Sequence, residues 1–296
     1  MRNRKYAFQY HMMLFPVIAL MFVFSVVPMF GIVIAFEKYY PAKGIAKSEF
    51  VGLKYFTDFL LMSNSWRIIK NTVIIAFYKI IANLVAPITF SLLLNEIKND
   101  NLKRVSQTMI YLPHFMSWVV LTIPIMNMFA LDGIVNKVVA FFGAEKRMFM
   151  VDNELFRPLL IITHTWKEFG FGTIVYLAAI TGIDPSLYEA AVIDGATRLQ
   201  RMRYVTLPGI STTIVLLATR SLGDVLNAGF DQVFNLYSPS VYEVADIIDT
   251  YVYRVGLVEM NFSLSTAVGL AKSVIGIFLI LSSNKLAEKL ANYRIY

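Results

Sequence analysis

The sequence contains no cysteine, which excludes disulfides, thiolate catalysis and thiolate metal sites. Its three histidines, His11, His114 and His164, stand too far apart to share a ligand spacing, so each reads as a hydrogen-bonded or interfacial side chain and no metal site is assigned. Charge is scarce: 16% of the 296 residues are charged against 57% hydrophobic, at a mean hydropathy of +0.60. Such a chain is too apolar to close as a soluble domain. Alternating strand-length segments of a barrel are missing. So is the phosphate-cradling loop G-x-x-x-x-G-K-[ST], since Gly269-Leu-Ala-Lys-Ser273 lies in an apolar run without the glycine pattern. The chain is therefore not an ATPase, and with no nucleophile set beside a base it does not read as an enzyme. The net charge of +7 is accounted for by basic residues gathering on the cytoplasmic side of a membrane, with no nucleic acid required.

What is present is long apolar runs. A membrane-crossing helix needs about 20 residues, and six such runs are expected: about 12–36, 68–94, 105–130, 158–182, 210–234 and 263–283. The first is longer than the apolar core of a secretory signal and lacks a small-residue cleavage site, so it is expected to be a retained span. Two further stretches have helical spacing on one face only. Ile134, Val135, Val138, Val139 and Phe142 form one, and Val241, Val244, Ile248, Tyr251 and Val255 the other, which points to two interfacial helices. The expected fold is an all-α membrane protein with six transmembrane helices and two interfacial helices, a single domain over residues 1–296.

With six spans, the N-terminus, Asn95 to Arg104, Asp184 to Pro208 and the tail share one side. Each carries three Lys or Arg. The opposite loops spread their basic residues over longer stretches and balance them with acids, so both termini and the segment 184–208 are placed in the cytoplasm.

That segment is a polar island. Asp184 suits an N-cap with Pro185 at the first helical position, and Gly195 can take the left-handed conformation that ends a helix. Two short helices with a break are expected. Ala190, Ala191 and Ala196 keep the surface thin enough for another backbone to approach, and Glu189 offers a negative charge. Composition alone fits a solvated hairpin equally well.

The order of these residues adds more. Glu189-Ala190-Ala191, Asp194-Gly195-Ala196 and Leu207-Pro208 resemble the EAA loop of ABC importer permeases. Further blocks, Tyr111-Leu-Pro-His-Phe-Met-Ser-Trp118, Gly182-Ile-Asp-Pro-Ser-Leu-Tyr-Glu189, the run from Asn227 to Tyr237 and that from Ala245 to Gly256, resemble the LplB-like polysaccharide and oligosaccharide branch of the sugar permeases. They extend over most of the chain. Relatives often carry a proline shortly after Leu-Pro, where Ser211-Thr212-Thr213 stands here.

The resemblance implies a type I ABC importer permease fold in the plasma membrane of a bacterium. It implies a coupling loop at 184–208 in which Tyr188, Glu189, Ala190, Ala191, Asp194, Gly195, Ala196, Leu207 and Pro208 meet an ATPase dimer. Further implied partners are a second permease subunit, forming a heterodimer, an extracellular or periplasmic substrate-binding protein, an oligosaccharide substrate and membrane lipids. No cofactor is expected on this chain, and ATP and Mg belong to the ATPase.

Within the spans, Arg220 and Asp224 are four apart and can meet. Lys167 and Glu168 are adjacent and are not expected to face each other, so at least one is expected to need a partner elsewhere, while Lys79 and Lys272 look lone. These charges read as structural pairs ahead of substrate contacts. A sugar site combines aromatic faces with amides and carboxylates, which nominates Trp118, Trp166, Asn227, Asp231 and Gln232. The competing reading is a self-sufficient ion-coupled carrier using Lys167, Glu168, Arg220 and Asp224.

Overall fold

The computed structural model describes residues 2–223 and 225–291. Four helical stretches among them are long and apolar enough to cross a membrane, Phe8–Phe36, Ser65–Asn95, Trp118–Phe141 and Phe262–Lys285. Two bent helix pairs, Asn153–Thr181 with Pro185–Ile193 and Arg198–Gly209 with Ser211–Gly223, bring the number to six if each pair is one span.

In chain order, α1 (Arg2–Met21) runs through a π turn and a 3-10 stretch to Phe36. Then come the short strands β1 (Glu37–Lys38) and β2 (Glu49–Phe50), α2 (Lys54–Leu61), α3 (Ser65–Asn95), α4 (Asp100–Tyr111), α5 (Trp118–Phe129), α6 (Ile134–Phe141) and α7 (Asn153–Thr181). The polar island supplies α8 (Pro185–Ile193) and α9 (Arg198–Arg201), followed by α10 (Ser211–Gly223), α11 (Phe230–Leu236), α12 (Tyr242–Ala245), α13 (Ile248–Tyr253) and α14 (Phe262–Ala291).

Two compact units are present, Met1–Ser65 with Tyr251–Ser273, and Trp66–Thr250 with Val274–Tyr296. In the first, β1 and β2 pair antiparallel, and Ser263 ties the hairpin down by donating to the Glu37 carbonyl and accepting from the Tyr39 N–H. Phe59 packs on Tyr251. The apolar side chains of Phe8–Phe36 are almost all exposed, as suits a helix solvated by lipid or by another chain.

The second unit holds the larger core. Ile75 and Ala76 of α3, Leu121 and Ile125 of α5, Phe156, Leu159 and Leu160 of α7, and Val233 and Leu236 of α11 are buried together with Val241, Ala245 and Ile247. A polar knot closes one side of it. Asn71 donates to the carbonyls of Glu243 and Asp246, Arg157 donates to Asn71 Oδ1 at 2.5 Å and to the Val244 carbonyl, and Thr72 accepts from the Ile248 N–H. The broken backbone around 243–248 thus has its polar groups met by side chains of α3 and α7, which buried main chain requires.

Three expectations change. The run 105–130 is not one helix: Pro113 sits in a 3-10 turn at Leu112–Phe115, Met116 is extended, and Ser117 caps a new helix that begins at Trp118. The run 210–234 also breaks, ending as α10 at Gly223 and resuming as α11 after Gly229, whose φ is +86°. The stretch 241–255 is two short helices rather than one continuous amphipathic helix, and Val241, Ala245 and Ile247 face the protein core. By contrast α6 does present Ile134 and Val138 to its surroundings, while its buried Asn136 anchors the following loop at the Arg147 N–H and carbonyl.

Candidate functional site

The polar island folds as two short helices in a tight bend. Asp184 caps α8 by accepting from the Ser186 N–H at 2.9 Å, and this bond holds its carboxyl below the usual range. A depressed carboxyl contributes its stability above its ordinary value of 3.8 and loses it only as pH falls further, so the cap is intact at neutral pH. At the far end Gly195, φ +76°, donates to the Val192 carbonyl and Ala196 to that of Ala191. This is the Schellman closure that a left-handed residue permits.

Chain direction then reverses into α9, whose start is a reciprocal capping box between Thr197 and Gln200. The Tyr188 hydroxyl meets Thr206 Oγ1 at 3.0 Å and locks the two arms together. Below the bend, Tyr176, Ile180 and Ile210 form a small buried cluster with Ile88, Leu92, Ile183 and Ile214 packed against it. The loop therefore stands directly on α3, α7 and α10. That makes it a stiff lever on the membrane helices.

The nine residues nominated for coupling fall within this one structure. Glu189, Ala190, Asp194, Gly195 and Pro208 are exposed, while Tyr188, Ala191, Ala196 and Leu207 are half-buried at its base. Around them Leu187, Val192, Ile193, Leu199 and Tyr204 are exposed too, Ile193 by 85%. Two open depressions flank the helix, one lined by Tyr188, Glu189, Val192, Ile193 and Arg201, the other reaching Asn95 and Pro185. An apolar tip on an otherwise polar loop calls for a covering partner. Residues the sequence reading passed over here are Thr197, Gln200 and Thr206. The T-x-x-Q spacing of the first two is a capping signature that was visible, whereas the Thr206 contact depends on the fold.

Inside the membrane-crossing part of the same unit lies a second polar group. Lys167 and Glu168 bond each other at 2.8 Å although adjacent residues are not expected to face each other, and the expected partner elsewhere is present as well. Both side chains are long enough to lean toward the 112–115 turn, where Glu168 also meets His114 Nδ1 at 2.8 Å and Lys167 donates to the His114 carbonyl. Lys167 stands over the Trp118 ring, and His164 stacks along that ring. Lys79 is not alone, as it donates to the Ala228 carbonyl.

The five sugar candidates are divided. Trp118 belongs to this polar group, Trp166 is 45% exposed on α7, and Asn227 and Asp231 are exposed at the break before α11. Gln232 is fully buried, donating to the Leu160 carbonyl and Thr163 Oγ1, with its Oε1 unbonded among the described residues. The Arg220 and Asp224 pair involves a position outside the described residues.

A capped, bent loop joined to four apolar spans, or six if each bent pair is one span, defines a multi-pass membrane protein. Residues 84–292 match the family model of the binding-protein-dependent transport system inner membrane component, and the chain belongs to that family. It is similar to the polygalacturonan/rhamnogalacturonan transport system permease protein YteP of Bacillus subtilis (strain 168), 44% identical across 97% of this chain and 89% of that one. Protein LplB of the same organism is 41% identical across 94% and 88%. Among solved structures, a chain of a bacterial ABC transporter involved in the import of the acidic polysaccharide alginate superposes with a TM-score of 0.89 at 34% identity, covering 98% of both chains.

Proposed function

We propose that this chain, working as one permease domain, is the membrane-spanning subunit of an ATP-driven importer of oligosaccharides. Loop 184–208 and both termini face the cytoplasm. There the loop docks on a separate ATPase dimer, which hydrolyses ATP with Mg, and this chain contributes no cofactor. A second permease completes the pore, and a binding protein outside the membrane delivers the sugar. The observation that carries this reading is the capped bend at Gly195 mounted on three membrane helices, together with the exposed apolar tip at Ile193. A lever of that kind transmits a partner's two states to the spans.

The substrate falls among carboxylate-bearing oligosaccharides. Supporting this, one relative is named for polygalacturonan/rhamnogalacturonan transport and the similar solved transporter imports alginate, and the middle of the spans carries Lys79, Lys167, Arg220 and Lys272 against Glu168 and Asp224. Excess positive charge in a low-dielectric path favours anions. The polar edge of the site comprises Asn227 and Asp231, with Trp118, Trp166 and Gln232 forming its walls.

Replacing Glu189 by Gln in the assembled importer tests the coupling role. Uptake is expected to disappear while the subunits still co-purify, and normal uptake would overturn the assignment. Competition between galacturonate and neutral galactose oligomers for uptake then tests the substrate class.

A further inference from the structure

Lys79 places its amino group within a membrane-crossing helix, where it donates to main chain. The residue is 4% exposed, and Nζ donates to the Ala228 carbonyl at 2.6 Å. Ala228, fully buried, lies in the break between α10 and α11. Its neighbour Gly229 has φ +86°, and a Cβ there would stand 3.0 Å from Nζ, so glycine serves both the turn and the approach of the lysine amino group. One helical turn on, Gln232 is pinned to the Leu160 carbonyl and Thr163. The residues flanking these two pins, Asn227 and Asp231, remain exposed.

Irregular backbone at membrane depth persists only where its polar groups are met by protein or by a watery cavity. A buried amino donor is likewise costly without a partner. Lys79 and the broken backbone satisfy each other.

We propose that Lys79 is a positioning residue for translocation: its grip on the Ala228 carbonyl holds the 227–231 turn with Asn227 and Asp231 facing the path. The inference rests on the reading of those two residues as substrate contacts. A methionine of similar length would leave the carbonyl unmet, whereas an arginine would restore a donor.

The test uses the assembled importer. Because the chain has no cysteine, Asn227→Cys introduces its one thiol, whose rate of labelling by a membrane-impermeant maleimide reports the state of the turn. Adding Lys79→Met is expected to change that rate about tenfold, the scale of one lost buried bond, with Lys79→Arg returning it to within about threefold. In the chain with Asn227 restored, K79M is expected to lower maximal uptake by about the same factor while basal ATP hydrolysis persists, and K79R to recover it. If K79M blocks assembly, Lys79→Leu, which also lacks a donor, is read by the same criteria. An unchanged labelling rate, or a changed rate with undiminished uptake, overturns the proposal. Failure of the reading beneath it shows separately, since Asn227→Ala and Asp231→Asn would then leave uptake intact with Lys79 in place.

Discussion

Gly195 offers the sharpest test of how the loop works. In its left-handed conformation a non-glycine residue costs about 1–2 kcal/mol, and a Cβ placed there meets no heavy atom within 4 Å. The penalty of Gly195→Ala is therefore conformational, with no local clash to add. At 1.4 kcal/mol per factor of ten, it depletes the bent geometry by about 5- to 30-fold. If coupling needs the bend, uptake and sugar-stimulated ATP hydrolysis in proteoliposomes fall together by that order, with the amount of assembled complex unchanged. Side chains must then rank by their tolerance of positive φ: asparagine mildest, alanine next, valine worst. Should asparagine prove as damaging as valine, the backbone argument fails and the requirement is a bare surface against the partner.

Two further substitutions probe the membrane-embedded network. Asn71→Ala strips partners from Arg157 and from the Glu243 and Asp246 carbonyls, at about 1–3 kcal/mol per unmet buried group. The melting midpoint of the detergent-purified chain should drop by several degrees, and an unchanged midpoint would show that the knot carries no stability. Glu168→Gln leaves Lys167, buried to 7% exposure, without its carboxylate, a loss of about 3–5 kcal/mol for a fully buried pair and less here because Glu168 is half-exposed. The double variant Lys167→Met with Glu168→Gln should be more stable than E168Q alone in the same melting assay. Equal loss in both would mean the two residues are not coupled.

Much of this was legible in the chain itself. The apolar runs at 12–36, 68–94 and 263–283 mark helices because length and hydropathy suffice to name a span. Asp184-Pro185 and Gly195 mark a helix and its end because capping is local chemistry. The errors share one cause: hydropathy is blind to backbone direction. The oily stretch 105–130 conceals the 112–117 turn, since Leu112, Phe115 and Met116 are as apolar as the helices around them. Gly229 within 210–234 passes for an ordinary small residue in a span. The sugar candidates show the same limit, because Asn227 and Gln232 are both amides while one is exposed and the other buried. His114 with Glu168, and Asn71 with Arg157, are pairs made by tertiary packing, so their spacing in the chain said little about them.

Reconstitution tests the central claim most directly. The chain is placed in liposomes with its second permease, with a sugar-loaded binding protein outside and an ion gradient imposed, and uptake is measured with and without the ATPase dimer and ATP. Uptake that requires both, and that disappears in Glu189→Gln with the ATPase present, is the predicted result. Gradient-driven uptake without the ATPase would contradict the account and favour a self-sufficient carrier.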